Sequence, residues 1–125
     1  MRAIAVNKTG DIPELMDLPV PRPAAGEIVV QLEAATLNPI DAGIAAGYFE
    51  GRMPHVYPLV GVDGAGRVTE VGEGVRGFET GDLVHGQVLC APLGRGTFAE
   101  YAVVPEFPDD GAFPRRSRPH CRLRA

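Results

Sequence analysis

The sequence predicts a single, mainly β domain with one or two short helices, and three observations carry that expectation. Its 125 residues suit one domain, 16 glycines and 12 prolines punctuate it throughout, and strand-like runs of alternating or β-branched residues lie between them. A domain of this size buries roughly two thirds of the surface of its unfolded chain, enough for one core. Apolar residues make up 45% of the sequence and charged residues 22%, the proportions of an ordinary globular protein.

Taken in order, Met1–Val6 alternates as a strand, and Asn7-Lys8-Thr9-Gly10 supplies turn residues. A second short strand is expected over Leu15–Leu18. Pro19, Pro21 and Pro23 hold the next segment extended and exclude a helix there, because each fixes φ and lacks an N–H. Gly26 turns the chain into Glu27–Leu37, whose Ile28, Val29, Val30 and Leu32 read as a half-buried strand.

Pro39 fits the first turn of a helix, and Asn38 before it is a favoured N-cap. The helix is expected from Pro39 to about Ala46. Ile40 and Ile44 then share one face, Asp41 complements the positive end of the dipole, and Gly47 closes the helix in the left-handed conformation. After a loop containing Met53-Pro54 and Tyr57-Pro58, strand character returns over Leu59–Val71. Gly61, Gly64 and Gly66 interrupt that run, as where another backbone approaches closely or a strand bends at a barrel corner. Runs at Asp82–Val88 and Thr97–Val104, broken by Gly81, Gly86, Gly94 and Gly96, complete a set of short strands typical of a barrel.

Composition also excludes several roles. The net charge is −4, but residues 112–125 carry five arginines and no acid, leaving seven basic against sixteen acidic residues in the body, a balance of −9. An acidic body is the wrong surface for nucleic acid, whose binding draws on clustered Lys and Arg. No apolar run approaches the roughly 20 residues that cross a bilayer, and no signal-like segment opens the chain, so no membrane is expected and the cytoplasm is the default location. Cys90 and Cys121 form neither a disulfide framework nor a metal-ligand spacing. His55, His85 and His120 are scattered and read as loop or partly buried histidines.

Residues 107–125 are expected to be a disordered basic tail, since the segment has two prolines after Ala112 and no hydrophobic period. Its Arg/Pro/Cys-rich text is of the kind that a shifted reading frame yields in GC-rich coding DNA. The other reading is an arm for nucleic acid or an acidic partner.

Gly72-Glu73-Gly74-Val75-Arg76-Gly77 matches the G-x-G-x-x-G string of dinucleotide sites and follows a strand. A pyrophosphate site needs a helix to start at those glycines, yet strand residues follow at Asp82, so the segment reads as a hairpin turn.

The stretch Gly61–Val75, together with Gly81-Asp82 and Gly96-Thr97-Phe98-Ala99-Glu100-Tyr101, resembles the GroES-like catalytic domain of medium-chain dehydrogenases and reductases over residues 1–106. The resemblance implies a GroES-like, partly open β-barrel. It also implies a family-style homo-oligomer. In the zinc-dependent alcohol dehydrogenase branch a metal-binding Cys stands where this chain has Asn38, and a His where it has Val62. An amide and an isopropyl group cannot serve as zinc ligands, so no metal is expected. Asp63, in the slot of an acid of that branch, reads as a hydrogen-bonding strand residue. The four-cysteine zinc lobe is replaced by the short run from Leu83 to Thr97 with only Cys90.

What remains resembles the zinc-free, zeta-crystallin-like quinone oxidoreductase branch, because Asn38-Pro39-Ile40-Asp41 matches its N-P-x-D helix start and Tyr48 falls where it places a cleft tyrosine. Such enzymes pass hydride from NADPH to a quinone or enone. By resemblance, the Asn38 amide hydrogen-bonds the nicotinamide or the substrate carbonyl, Tyr48 donates to an oxyanion developing on the substrate, and Ile40, Asp41, Tyr48 and Val62 line the substrate cleft. Capping explains Asn38 equally well, and packing of its ring over the helix end explains Tyr48. Asp41 reads as a dipole partner rather than a general base. In relatives NADPH binds a Rossmann domain that follows the GroES-like domain, and no βαβ pattern occurs here. The expectation is therefore a fragment that binds no NADPH by itself and is inactive alone. The alternative is a stand-alone GroES-like module that works through protein interaction.

Overall fold

A computed structural model describes residues 1–8, 10–48, 60–88 and 95–106. The expectations for His55, Cys90, His120, Cys121, the loop with Met53-Pro54 and Tyr57-Pro58, and the tail 107–125 fall outside these residues.

Strand β1 (Arg2–Ala5) pairs antiparallel with β2 (Glu14–Asp17) as a two-stranded ribbon. A four-stranded sheet has the order β5 (Leu83–Gln87), β4 (Asp63–Val71), β3 (Glu27–Thr36), β6 (Tyr101–Pro105), and every pair in it is antiparallel. Among the described residues the sheets stay open, and β1 meets the segment leading into β6 at an isolated bridge between Ala3 and Ala99. Helix α1 (Pro39–Ala46) is the one helix among the described residues, so the fold is mainly β as expected.

Two bulges curl the sheet. In the β3–β4 ladder the register slips between Val29 and Val30, where Thr69 is extra on β4, and between Leu32 and Ala34, where Glu33 is extra on β3. A bulge bends its strand and raises the local twist. The Thr69 hydroxyl reaches the Val29 carbonyl at 3.4 Å across the first of them.

Ile28, Val29 and Val30 are all buried, which corrects the half-buried expectation for β3: its first half is covered on both faces and only the later residues open to solvent. Ile28, Val30, Val68, Val84, Val88 and Val104 form the main core, with Leu32, Val71, Val75 and Phe78 against it. A second cluster of Val6, Ala45 and Val60, with Phe98 against it, seats α1 on the ribbon side.

The glycines of β4 are placed by close approach. A Cβ on Gly66 would run into the Gln31 carbonyl, and one on Gly64 would lie 3.0 Å from the Leu32 side chain. Gly61 combines a φ of 100° with a neighbour constraint, since a Cβ there would stand 2.7 Å from the Phe98 backbone nitrogen.

Candidate functional site

The site is built around the start of α1. Asn38 sits in the extended conformation before Pro39, and its N–H donates to Asp41 Oδ2 at 2.6 Å, one half of a capping box. The Asp41 N–H in turn points back at Asn38 and reaches its backbone carbonyl at 3.0 Å. Gly47, at φ 89°, closes the far end, with its own N–H on the Ile44 carbonyl and the Tyr48 N–H on that of Gly43. Both helix bounds match the sequence expectation.

Asp41 does more than complement a dipole. It is 1% exposed, and while Oδ2 holds the Asn38 N–H, Oδ1 has no hydrogen-bond partner among the described residues. A buried, unpartnered carboxylate oxygen is costly, and such atoms concentrate where function or a further contact demands them.

The Asn38 carboxamide is turned towards β4. Its Nδ2 donates to Asp63 Oδ2 at 2.5 Å and to the Thr36 carbonyl at 3.3 Å. Asp63 is therefore a hydrogen-bonding strand residue, as read from the sequence. Its own backbone is pinned, because the buried Thr97 hydroxyl donates to the Asp63 carbonyl at 2.9 Å. Beside the pair, an open groove of about 420 Å³ runs along the strand ends past Thr36, Asp63, Gly64, His85 and Gly86.

The expected cleft residues do not all meet here. Val62 is 1% exposed and lies in the interior, a correction to its place on the cleft face. Gly61 at positive φ breaks the strand alternation, so Val60, Gly61 and Val62 are buried in succession, and the Val62 carbonyl is taken by the Val88 N–H. Ile40 is half-buried, with Ile44 carrying the buried face of α1. Tyr48 is 82% exposed, so its ring does not pack over the helix end. Asn38 and Tyr48 flank α1 at its opposite ends, Asn38 just before Pro39 and Tyr48 just after Gly47.

Sequence reasoning missed Thr97 and His85 as neighbours of the site. The signal for Thr97 was present in Gly61 and Gly64, whose missing side chains leave the room it fills. His85 lies on β5 opposite Ala65, a pairing that only the fold provides.

The pyrophosphate string folds as a turn. Gly74 has a φ of 81°, no helix follows, and the Arg76 and Gly77 N–H groups both donate to Glu106 Oε1. The loop's anion is the protein's own carboxylate, so these residues do not fit a dinucleotide phosphate. At the two positions weighed as zinc ligands Asn38 offers an amide and Val62 a buried isopropyl group, and no three His, Cys, Asp or Glu residues cluster among the described residues.

With this geometry in place, comparison with known proteins is decisive about kinship. The alcohol dehydrogenase GroES-like domain family matches residues 24–109. The chain belongs to that family. It is 40% identical over 94 residues to a chloroplast envelope quinone oxidoreductase homolog of Arabidopsis thaliana, a match covering 74% of this chain and 28% of that protein. Among solved structures, a quinone oxidoreductase of Pseudomonas syringae pv. Tomato DC3000 superposes with a TM-score of 0.73 at 31% identity, over 84% of this chain and 31% of the other. A cobalt- and zinc-bound thermostable alcohol dehydrogenase of Pyrobaculum aerophilum superposes almost as well, with a TM-score of 0.72 at 29% identity, over 84% of this chain and 39% of the other. The fold is thus shared with a metal-bound alcohol dehydrogenase as well as with quinone oxidoreductases. The chain spans about a third or less of the length of the curated relatives it matches.

Proposed function

We propose that this chain forms the substrate-side wall of an active-site cleft in a zinc-independent reductase of quinones or enones, and that it does not turn over alone. The observation that carries the reading is the Asn38–Asp63 hydrogen bond at the start of α1, which holds a carboxamide at the position where the resemblance to the zinc-dependent branch implies a Cys. Similarity to the quinone oxidoreductase homolog supports the substrate class.

In this reading NADPH supplies hydride and is held chiefly by a separate dinucleotide-binding domain, since all sheet pairing among the described residues is antiparallel. This chain's residues orient the reactants. Asn38 lies at the nicotinamide end and the exposed Tyr48 hydroxyl donates to the substrate oxygen as charge develops there. The two flank opposite ends of α1 and are assigned to different members of the ligand pair. The cleft side is shaped by half-buried Ile40 and the groove at Thr36 and Asp63.

The test is NADPH oxidation by the purified chain with a soluble quinone. No consumption above the protein-free rate is expected, while fusion of residues 1–106 to the dinucleotide domain of the Pseudomonas syringae relative is expected to give quinone-dependent oxidation. Turnover by the isolated chain would overturn the one-wall reading.

A further inference from the structure

Both hydrogens of the Asn38 carboxamide are engaged inside the protein. One goes to Asp63 Oδ2 and the other towards the Thr36 carbonyl. A peptide carbonyl and an ionised carboxylate only accept, so turning the amide over would set its oxygen against two others; the assignment of its O and N follows from the partners. Asn38 Oδ1 lies on the capping-box side, but the Asp41 N–H is already bonded to the Asn38 backbone carbonyl, and a carboxamide oxygen has two lone pairs. What this position can still offer a ligand is a lone pair.

We propose that Asp63 is a positioning residue that locks Asn38 as an acceptor, so that Asn38 receives a hydrogen bond from an N–H or O–H donor such as a primary carboxamide and does not donate to a quinone or enone carbonyl. The lock itself follows from the hydrogen bonds; the identity of the ligand rests on the reading given under Proposed function. It divides the labour of the cleft. A substrate carbonyl must take its donor from elsewhere, and the Tyr48 hydroxyl is exposed for that purpose. Asp63 itself is fixed by the Thr97 hydroxyl on its backbone and by the absence of a side chain at Gly64, where a Cβ would press on Thr97 at 3.1 Å.

The sequence contains two asparagines, Asn7 and Asn38, so protein labelled with nitrogen-15 at asparagine gives two side-chain NH2 pairs and a built-in control. Hydrogen exchange at Asn38 is expected to be at least roughly tenfold slower than at exposed Asn7, as for donors in a charge-assisted hydrogen bond. Asp63→Ala should bring the two rates together, and Asp63→Asn, which still offers an oxygen, should restore part of the protection. Equal rates in the unmutated chain, or protection that survives Asp63→Ala with the backbone amide spectrum intact, would overturn the lock. As ligand probes, nicotinamide should shift the Asn38 signals of the unmutated chain, whereas methyl nicotinate, which has no N–H, should not; in Asp63→Ala both should. Equal shifts from the two probes in the unmutated chain would overturn the acceptor role. A protected Asn38 that ignores nicotinamide would overturn the carboxamide assignment together with the cofactor-side part of the proposed function, and leave the lock standing.

Discussion

A methyl group placed on Gly66 would run into the carbonyl of Gln31, and the neighbour it strikes is backbone that cannot swing away. Gly66→Ala should therefore cost at least about 2 kcal/mol in urea unfolding, within the range for overpacking that displaces backbone. Gly74 makes the contrast: its φ is 81° but a Cβ there meets nothing within 4 Å, so Gly74→Ala should cost only the left-handed strain of about 1 kcal/mol. Glu27 gives a pH-dependent case. Burial alone would raise its carboxyl, but the hydrogen bond from Arg95, the Ala24 N–H and the Arg95 charge together hold it below the ordinary range. A carboxyl depressed by folding stabilises fully above its unfolded pKa, about 4.3, and loses that contribution as pH falls through the lower folded value. The penalty of Arg95→Met should accordingly be present at neutral pH and vanish in acid, as read by unfolding at a series of pH values. It should be modest, since Arg95 is 38% exposed and screened by solvent.

Among the elements, α1 was the most legible because its signals are local: Pro39 opens it, Gly47 ends it, and no distant residue has a vote on either. Asp41→Ala should cost about 1–2 kcal/mol, since it leaves the Asn38 N–H without its acceptor, while Asp41→Asn keeps an oxygen there and should cost less. Thermal unfolding of the two variants side by side checks the order. Strand limits were less legible. The run expected from Leu59 is assigned as strand only from Asp63, and that from Thr97 only from Tyr101, because Gly61 and Thr97 are engaged in contacts between segments rather than in a ladder. Val62 shows the cause most plainly: periodicity assumes unbroken alternation, and one positive-φ glycine beside it shifts the phase. The glycines announced a close approach, but not against which strand. Asp63 was read correctly as a hydrogen-bonding residue, whereas its partner Asn38 lies 25 positions away in sequence and follows only from the β3–β4 register.

At the scale of the whole molecule, the most exposed large apolar side chains among the described residues lie on the ribbon side and beside α1, with Val20 and Leu83 about half exposed elsewhere. Ile12 and Leu15 are 83% and 67% exposed on the ribbon side, and Leu37 and Tyr48 are 77% and 82% exposed at the two ends of α1. Of the apolar residues expected to line the cleft, Tyr48 is thus exposed, Ile40 half-buried and Val62 buried. Exposed apolar surface of this kind promotes association. Sedimentation velocity should show self-association that grows with concentration, and the double variant Leu37→Ser with Tyr48→Ser should weaken it without lowering stability; a monodisperse unmutated chain at high concentration would contradict this.

The ribbon's attachment also sets the order in which the domain can assemble. Residues 2–5 can pair early with β2 on one edge, but their other partners come late: the Ile4 N–H waits for the Phe98 carbonyl, the Ile4 carbonyl for the Val60 N–H, and Arg2 for Glu100, 98 positions later. Contacts of such separation must overcome loop-closure entropy before they contribute, which slows folding relative to domains built from local contacts. During synthesis the second edge of the apolar Ala3–Val6 segment therefore remains open until nearly the whole domain has been made, and a chaperone that shields short apolar stretches would have its longest engagement there.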